Sequence, residues 1–306
     1  MDKKYRILMD CDTGDDDACA IALAAASKEI ELLGVTAVMG NLSLEQTCRN
    51  ARELICYLGA DVPVAKGSER PLKRDYWLGS HREQYLAVPG ITRRMAPLAK
   101  EDAVEFMARV LQSSADKVEL LPVGPLTNIA KLMQSYPELV REKVGRIIVM
   151  GGGVAFGNVT KMAELNIYAD AEAADIVFSF GMPVVMVGLD VCHRAKLTHA
   201  DAPRLQSIPT RAGSVFASLT ASGLETYGKA RGYVLMYDSL TVIYALHPEI
   251  FTAKPAAITV VTEGEDYGRT VCDFDAPEKM HTVVLDIDRE KYMDIVEEIL
   301  EAAECL

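Results

Sequence analysis

The sequence predicts an α/β fold: one domain over 1–306, built on a mostly parallel, Rossmann-like open sheet with helices on both faces. Three observations carry this. Short apolar runs closed by polar turns alternate with helix-period segments along the whole chain. Runs such as Ile7–Met9 and Ile147–Val149 are continuously apolar, as strands covered on both faces are. No internal repeat, low-complexity tract or linker divides the 306 residues.

The first unit, Arg6 to Ala26, reads as a strand, an acidic turn and a helix. Asp10, Asp12, Asp15, Asp16 and Asp17 put five carboxylates into eight residues between two buried segments. On extended backbone, Asp10 and Asp12 share a face. Asp16 and Asp17 fall in the first helical turn, where the partial positive charge of the helix end favours anions, and Gly14 supplies the bend. Two carboxylates about 4 Å apart repel by about 4 kcal/mol at an effective dielectric of 20. A converging set therefore needs a cation, protonation or full solvation. Oxygen ligands without a nearby His or Cys pair point to Ca²⁺ or Mg²⁺ rather than zinc, and the spacing is not that of an EF-hand.

The remaining elements follow in order. Ile30 to Val38 is a second strand. Ser43 and Gln46 form a capping box for a helix whose apolar stripe is Leu44, Cys48, Ala51, Leu54, Ile55 and Leu58. Val62 to Lys66 is a short third strand. The segment 67–97, with Trp77, His81 and Tyr85, is irregular and is expected to be an active-site loop or lid. A helix over Asp102 to Ser113, a strand over Val118 to Val123 and a helix from Thr127-Asn128 to Tyr136-Pro137 come next. Arg146 to Met150 is a strand closed by Gly151-Gly152-Gly153, where Phe156 breaks any match to a dinucleotide fingerprint. Further helices are expected over Ala171 to Phe178, Thr198 to Leu205, Arg211 to Tyr227 and Asp238 to Leu246. Strands are expected over Val184 to Val187, Ala256 to Val261 and His281 to Ile287. The chain closes on a helix with the stripe Tyr292, Ile295, Val296, Ile299, Leu300 and Ala303.

A formal net charge of −12 argues against nucleic acid or an anionic membrane as partner. No run of about 18 apolar residues and no leader pattern is present, so neither membrane insertion nor export is expected. Seven scattered cysteines without a Cys-x-x-Cys pair fit a reducing, cytoplasmic setting. In open α/β sheets, ligands bind beyond the carboxyl ends of strands. The polar stretches at Asp10–Asp17, Asn41, Thr127-Asn128 and Asn158–Asn166 all follow apolar strands. Singly, each could be a turn, a cap or a solvated loop.

Taken together, they carry a resemblance. Asp10-Cys11-Asp12-Thr13-Gly14-Asp15-Asp16-Asp17-Ala18 resembles the Asp-x-Asp-x-Gly-x-Asp-Asp-Ala signature of the inosine–uridine nucleoside hydrolases. The similarity continues through Gly40-Asn41, Val123–Ala130, Met150-Gly151-Gly152, Gly157–Thr160, Ala163–Tyr168 and Asp238. It implies hydrolysis of the N-glycosidic bond of ribonucleosides by a Ca²⁺-dependent enzyme that assembles as a homodimer or homotetramer. By the same resemblance, Asp12 is the general base, and Asp12, Asp17, Asp238 and the Thr127 carbonyl hold the metal. Asp16, Asn41, Asn158, Glu164 and Asn166 hold the ribose, Asp10 steers its neighbours, and Asp15 faces outward. Tyr237 stands where many members have a histidine, which leaves the departing base to Tyr237, His81, Tyr227 or Tyr233.

Two other readings stay open on sequence. A haloacid-dehalogenase-type phosphatase also begins with an apolar strand and Asp-x-Asp. A non-catalytic or altered-specificity ribose- or nucleoside-binding protein could keep the metal site without turning over.

Overall fold

In the computed structural model, residues 5–75 and 84–303 are described. Eleven strands are found among them. Nine form one sheet: β1 (Tyr5–Cys11), β2 (Ile30–Ala37), β3 (Val64–Lys66), β4 (Val118–Pro122), β5 (Val144–Met150), β6 (Val184–Val187), β9 (Phe251–Val260), β10 (Thr270–Asp273) and β11 (His281–Ile287). The other two, β7 (Leu197–Thr198) and β8 (Tyr233–Val234), pair in a small antiparallel ribbon. The order across the sheet is β10-β9-β11-β6-β5-β4-β1-β2-β3. Every pairing from β3 to β11 is parallel, whereas β9 lies antiparallel to β11 and to β10.

The chain steps outward from β1 to β2 and β3, then returns to place β4 on the other side of β1. The carboxyl ends of β1 and β4 thus bound a topological switch point, where such sheets bind ligands. Both faces are covered, as the apolar strands predict. Ile7, Met9 and Cys11 pack among the helices Asp15–Ala26, Leu44–Leu58, Arg211–Glu225, Ser239–Leu246 and Arg289–Glu301. Leu8, one residue out of phase, joins the opposite core with the helices Ala103–Ser113, Thr127–Ser135, Pro137–Lys143 and Ala171–Ser179.

The structure corrects several boundaries. The helix expected over Thr198 to Leu205 begins only at Ala202, because Asp201 Oδ2 accepts from both the N–H and the hydroxyl of Thr198 and holds a turn there. The strand expected from Ala256 begins at Phe251. Edge strand β10, the helix Pro137–Lys143 and the short helix Leu165–Ala169 escaped the sequence reading. Within 67–97 the described residues form neither helix nor strand; Trp77 and His81 lie outside the described residues. Among the described residues, no helix is long and apolar enough to cross a membrane.

Candidate functional site

The acidic turn joins β1 to the helix Asp15–Ala26, whose first turn carries Asp15, Asp16 and Asp17. The residue before the helix is Gly14, which has no side chain to cap it. Its N–H instead donates to Asp17 Oδ2 at 2.9 Å, fixing that carboxylate across the bend. Asp10, still on the strand, turns away to accept from Thr36 Oγ1 at 2.5 Å and Asn128 Nδ2 at 2.8 Å. Asn128 Nδ2 also reaches the Ala37 carbonyl, and its Oδ1 accepts from the Ser68 N–H. Asp10 therefore ties β1 to β2 and to the start of the 67–97 segment.

Asp12 sits past the end of β1. Its Oδ2 accepts from the Asn41 N–H at 2.7 Å. Asp12, Asp16, Asp17, Asn41, Val123, Met150, Asn158, Glu164, Leu165, Asn166, Tyr237 and Asp238 line a cavity of about 150 Å³. Oxygens of Asp16, Asp17 and Asp238 all come within 4.8 Å of one another. Asp12 is not a member of that trio. Asp16, expected to hold ribose, is.

This concentration of carboxylates sets the electrostatics. Burial foremost, opposed by hydrogen bonds from backbone or neighbouring side chains, pushes Asp10, Asp12, Asp16 and Glu164 each up to about 7. Burial, then repulsion from Asp12 and Asp16, raises Asp17 well above the usual carboxylate range; burial, then Asp16 and Asp17, does the same to Asp238. Asp17 Oδ1 is buried without a hydrogen-bond partner among the described residues. A cation would satisfy that oxygen and offset the repulsion, and an all-oxygen donor set fits a hard divalent ion. The residues present fit such an ion.

Glu164 caps the helix Leu165–Ala169, and its carboxylate accepts from the N–H groups of Gly152, Asn166 and Ile167. Asn166 is buried and donates both amide hydrogens to strand ends, to the Val123 carbonyl at 2.8 Å and the Met150 carbonyl at 3.1 Å. Asn41 and Asn158 are exposed, and Asn158 Oδ1 accepts from the Leu165 N–H. Thr127 is not among the cavity's lining residues; it is buried, with its hydroxyl on Asp170 Oδ2 at 2.6 Å.

A second, larger cavity of about 690 Å³ adjoins the first, sharing Asp16, Asn41 and Tyr237 with it. Burial, and then the Asp16 charge, holds the Tyr237 phenol above its usual range, so it keeps its proton at neutral pH. Tyr227 lines this outer cavity at 51 % exposure. Tyr233 lines neither cavity; Lys196 and Arg231 lie over its ring. Asp15, expected to face outward, lines the outer cavity, because it opens the same helical turn as Asp16 and Asp17.

The sequence reading missed Val123, Gln84, Ser222, Thr226 and Arg231 as lining residues. It also missed Asn50 and Glu53, both buried, while Gln46, expected to close a capping box with Ser43, is buried with its Nε2 donating to Asn50 Oδ1 instead. Their spacing of four and three residues on the non-apolar side of the Leu44–Leu58 helix was the available signal.

Residues 7–294 match the family described as inosine-uridine preferring nucleoside hydrolase. Among curated relatives, the pyrimidine-specific ribonucleoside hydrolases RihA of Escherichia coli O7:K1 and Salmonella typhimurium are each 39 % identical. Those matches span 96 % of this chain and 97–98 % of the relatives. A purine-preferring ribonucleoside hydrolase from Gardnerella vaginalis superposes with a TM-score of 0.85 at 31 % identity, covering 98 % of this chain and 100 % of that one. A plant nucleoside hydrolase, PpNRh1, gives 0.83 at 26 % identity, covering 97 % and 99 %. These matches lend nothing to the phosphatase or to a non-catalytic binder. The chain belongs to the inosine-uridine preferring nucleoside hydrolase family and is a hydrolase acting on N-glycosyl compounds.

Proposed function

We propose that the protein hydrolyses pyrimidine ribonucleosides to ribose and free base, with Ca²⁺ held at the carboxylate cluster. The observation that carries this reading is the paired cavity. An acid-lined compartment suited to ribose hydroxyls opens into a larger one with room for a base. The curated relatives at 39 % identity are named pyrimidine-specific, which supports uridine and cytidine over purine nucleosides.

Asp17 and Asp238 hold the ion, with Asp12 and a backbone carbonyl from the same cavity completing the set. Val123 is the better candidate for that carbonyl than Thr127, since it lines the cavity and its oxygen has a second lone pair beyond the one facing Asn166. When bound, the ion supplies Lewis acidity and a positive charge that lowers the proton affinity of the surrounding carboxylates. Asp12, its Oδ2 already steered by the Asn41 N–H, takes a proton from water as the water oxygen bonds to C1′. The C1′–N bond breaks with its electron pair passing to the base, and the departing base anion takes up a proton from solvent as Asp12 gives its own back to solvent. Carboxylates around the ring stabilise the oxocarbenium-like charge that develops on the sugar. Asp16, Asn41, Asn158, Glu164 and Asn166 orient the ribose. Tyr237, which keeps its proton, packs on the base and donates a hydrogen bond rather than transferring the proton.

Assembly as a homodimer or homotetramer and a cytoplasmic location belong to the same proposal; sedimentation and cell fractionation test them. The activity itself is tested by incubating uridine, cytidine, inosine and adenosine with the protein and measuring free ribose. Uridine or cytidine should give the highest kcat/KM. Faster release from the purine nucleosides would overturn the base preference, and no ribose from any of the four would overturn the function.

A further inference from the structure

The Leu44–Leu58 helix buries an apolar stripe in the core, yet Gln46, Asn50 and Glu53 are also buried, at 4 %, 1 % and 5 % exposure. Burying polar side chains is unfavourable unless they are bonded, so each should have a job. Asn50 uses all its main hydrogen-bonding capacity. Its Oδ1 accepts from Gln46 Nε2 at 2.8 Å, which fixes which way the amide points. Its two amide hydrogens then go to carbonyls of two distant segments. One is Thr13, at 2.9 Å, inside the acidic turn between Asp12 and Gly14. The other is Gln84, at 3.0 Å, in the wall of the outer cavity.

The neighbours of Asn50 on the helix hold the same returning limb, 84–96. Arg49 Nη1 donates to the Tyr85 hydroxyl at 3.3 Å, and Arg93 lies 3.7 Å over the Tyr85 ring while pairing with Glu53. Arg52 Nε donates to the Ala96 carbonyl, and the Ala96 N–H returns to the Arg52 carbonyl. The Arg49–Tyr85 and Arg93–Glu53 contacts have exposed partners and are individually weak. Asn50 differs in being buried and in reaching the catalytic turn as well as the limb.

We propose that Asn50 is a positioning residue that holds the Gln84–Tyr85 wall of the outer cavity in register with the acidic turn. It touches no substrate. Through it, the wall that faces the base and the turn that carries Asp12, Asp16 and Asp17 share one anchor. The proposal rests on the nucleoside-hydrolase reading of the site for its kinetic consequence, but not for its structural one.

Asn50→Ala tests it in two independent arms. In hydrogen–deuterium exchange, peptides covering Gln84–Ile91 should exchange at least about tenfold faster than in the unchanged protein, the size expected when a buried hydrogen bond is lost. Peptides from β4 and β5 should be unaffected. In kinetics, KM for the best nucleoside should rise about tenfold or more, while inhibition by free ribose changes by less than about threefold. Gln46→Leu, which removes only the bond that orients Asn50, should give a smaller change in the same direction and guards against a misfolded first variant. Unchanged exchange over Gln84–Ile91 would overturn the proposal. So would a parallel loss of ribose inhibition and nucleoside KM, which would mean that Asn50 merely supports the turn. If the unchanged protein cleaves no nucleoside, the functional reading fails, and the exchange arm still decides the role of Asn50.

Discussion

Gly40 lies so close to Asp12 that a β-carbon at position 40 would stand 2.1 Å from Asp12 Oδ2. The N–H of the next residue, Asn41, holds that same oxygen at 2.7 Å. The absence of a side chain at position 40 is what lets the turn after β2 press against the carboxylate. Gly40→Ala must therefore displace Asp12. Since a misplacement of about 1 Å costs on the order of 10²-fold in rate, kcat/KM for the best nucleoside should fall by about that factor. Far-ultraviolet circular dichroism should show the fold retained, and activity within about threefold of the unchanged protein would contradict the geometry.

Asp12→Asn keeps the shape of the side chain and its bond from Asn41 but removes its ability to take a proton. Turnover should fall by about 10²-fold or more. Because Asp12 is also assigned to the ion, calcium content is to be measured on the same sample. Normal turnover with calcium bound would remove Asp12 from the role of base.

Tyr237→Phe separates contact from proton transfer. The ring survives and only the hydroxyl is lost. With the phenol holding its proton so firmly, uridine turnover should stay within about threefold, less than about 0.7 kcal/mol of barrier. A large loss on uridine, with nitrophenyl riboside cleaved at its normal rate, would make Tyr237 the leaving-group acid after all.

The clustered carboxylates give the metal-free protein a distinctive pH dependence. Asp10, Asp12, Asp16 and Glu164 have folded-state values near 7 against about 4 when unfolded. Over that interval the unfolded chain loses these protons while the folded chain keeps them, so stability falls as pH rises from about 4 to about 7. Chelator-treated protein should therefore melt at a lower temperature at pH 7.5 than at pH 5. Added calcium should raise the melting temperature more at pH 7.5, where ion and protons no longer compete. A melting temperature independent of pH in the metal-free protein would mean that the carboxylates do not crowd as the structure has them.

The sheet and the acid-lined cavity were legible because local chemistry announces them. A continuous apolar run such as Ile147–Val149 has few places to go but a covered strand, and five acids beside two buried segments need an explanation wherever they occur. What stayed hidden depends on contacts between distant segments. Nothing local in Asn50 reveals that its amide spans Thr13 and Gln84, 37 and 34 residues away. Thr127 stood out as a polar residue after a strand, whereas nothing in an apolar Val123 advertises that it lines the cavity. The outward-facing expectation for Asp15 follows from the family resemblance, which says nothing of the outer cavity that Asp15 lines; that cavity is assembled from the helix Arg211–Glu225 and residues near Gln84 and Tyr237. Edge strand β10 is only four residues long, too short to show a period.

The most direct measurement compares the extensively dialysed protein with its Asp17→Ala variant, reading bound metal and ribose release from uridine on the same samples. The unchanged protein should carry about one calcium per chain and release ribose and uracil in equal amounts, and Asp17→Ala should lose both the metal and the activity. Full calcium occupancy in Asp17→Ala, or rapid ribose release from protein stripped of metal, would contradict the assignment of this carboxylate cluster as the ion-dependent hydrolytic centre.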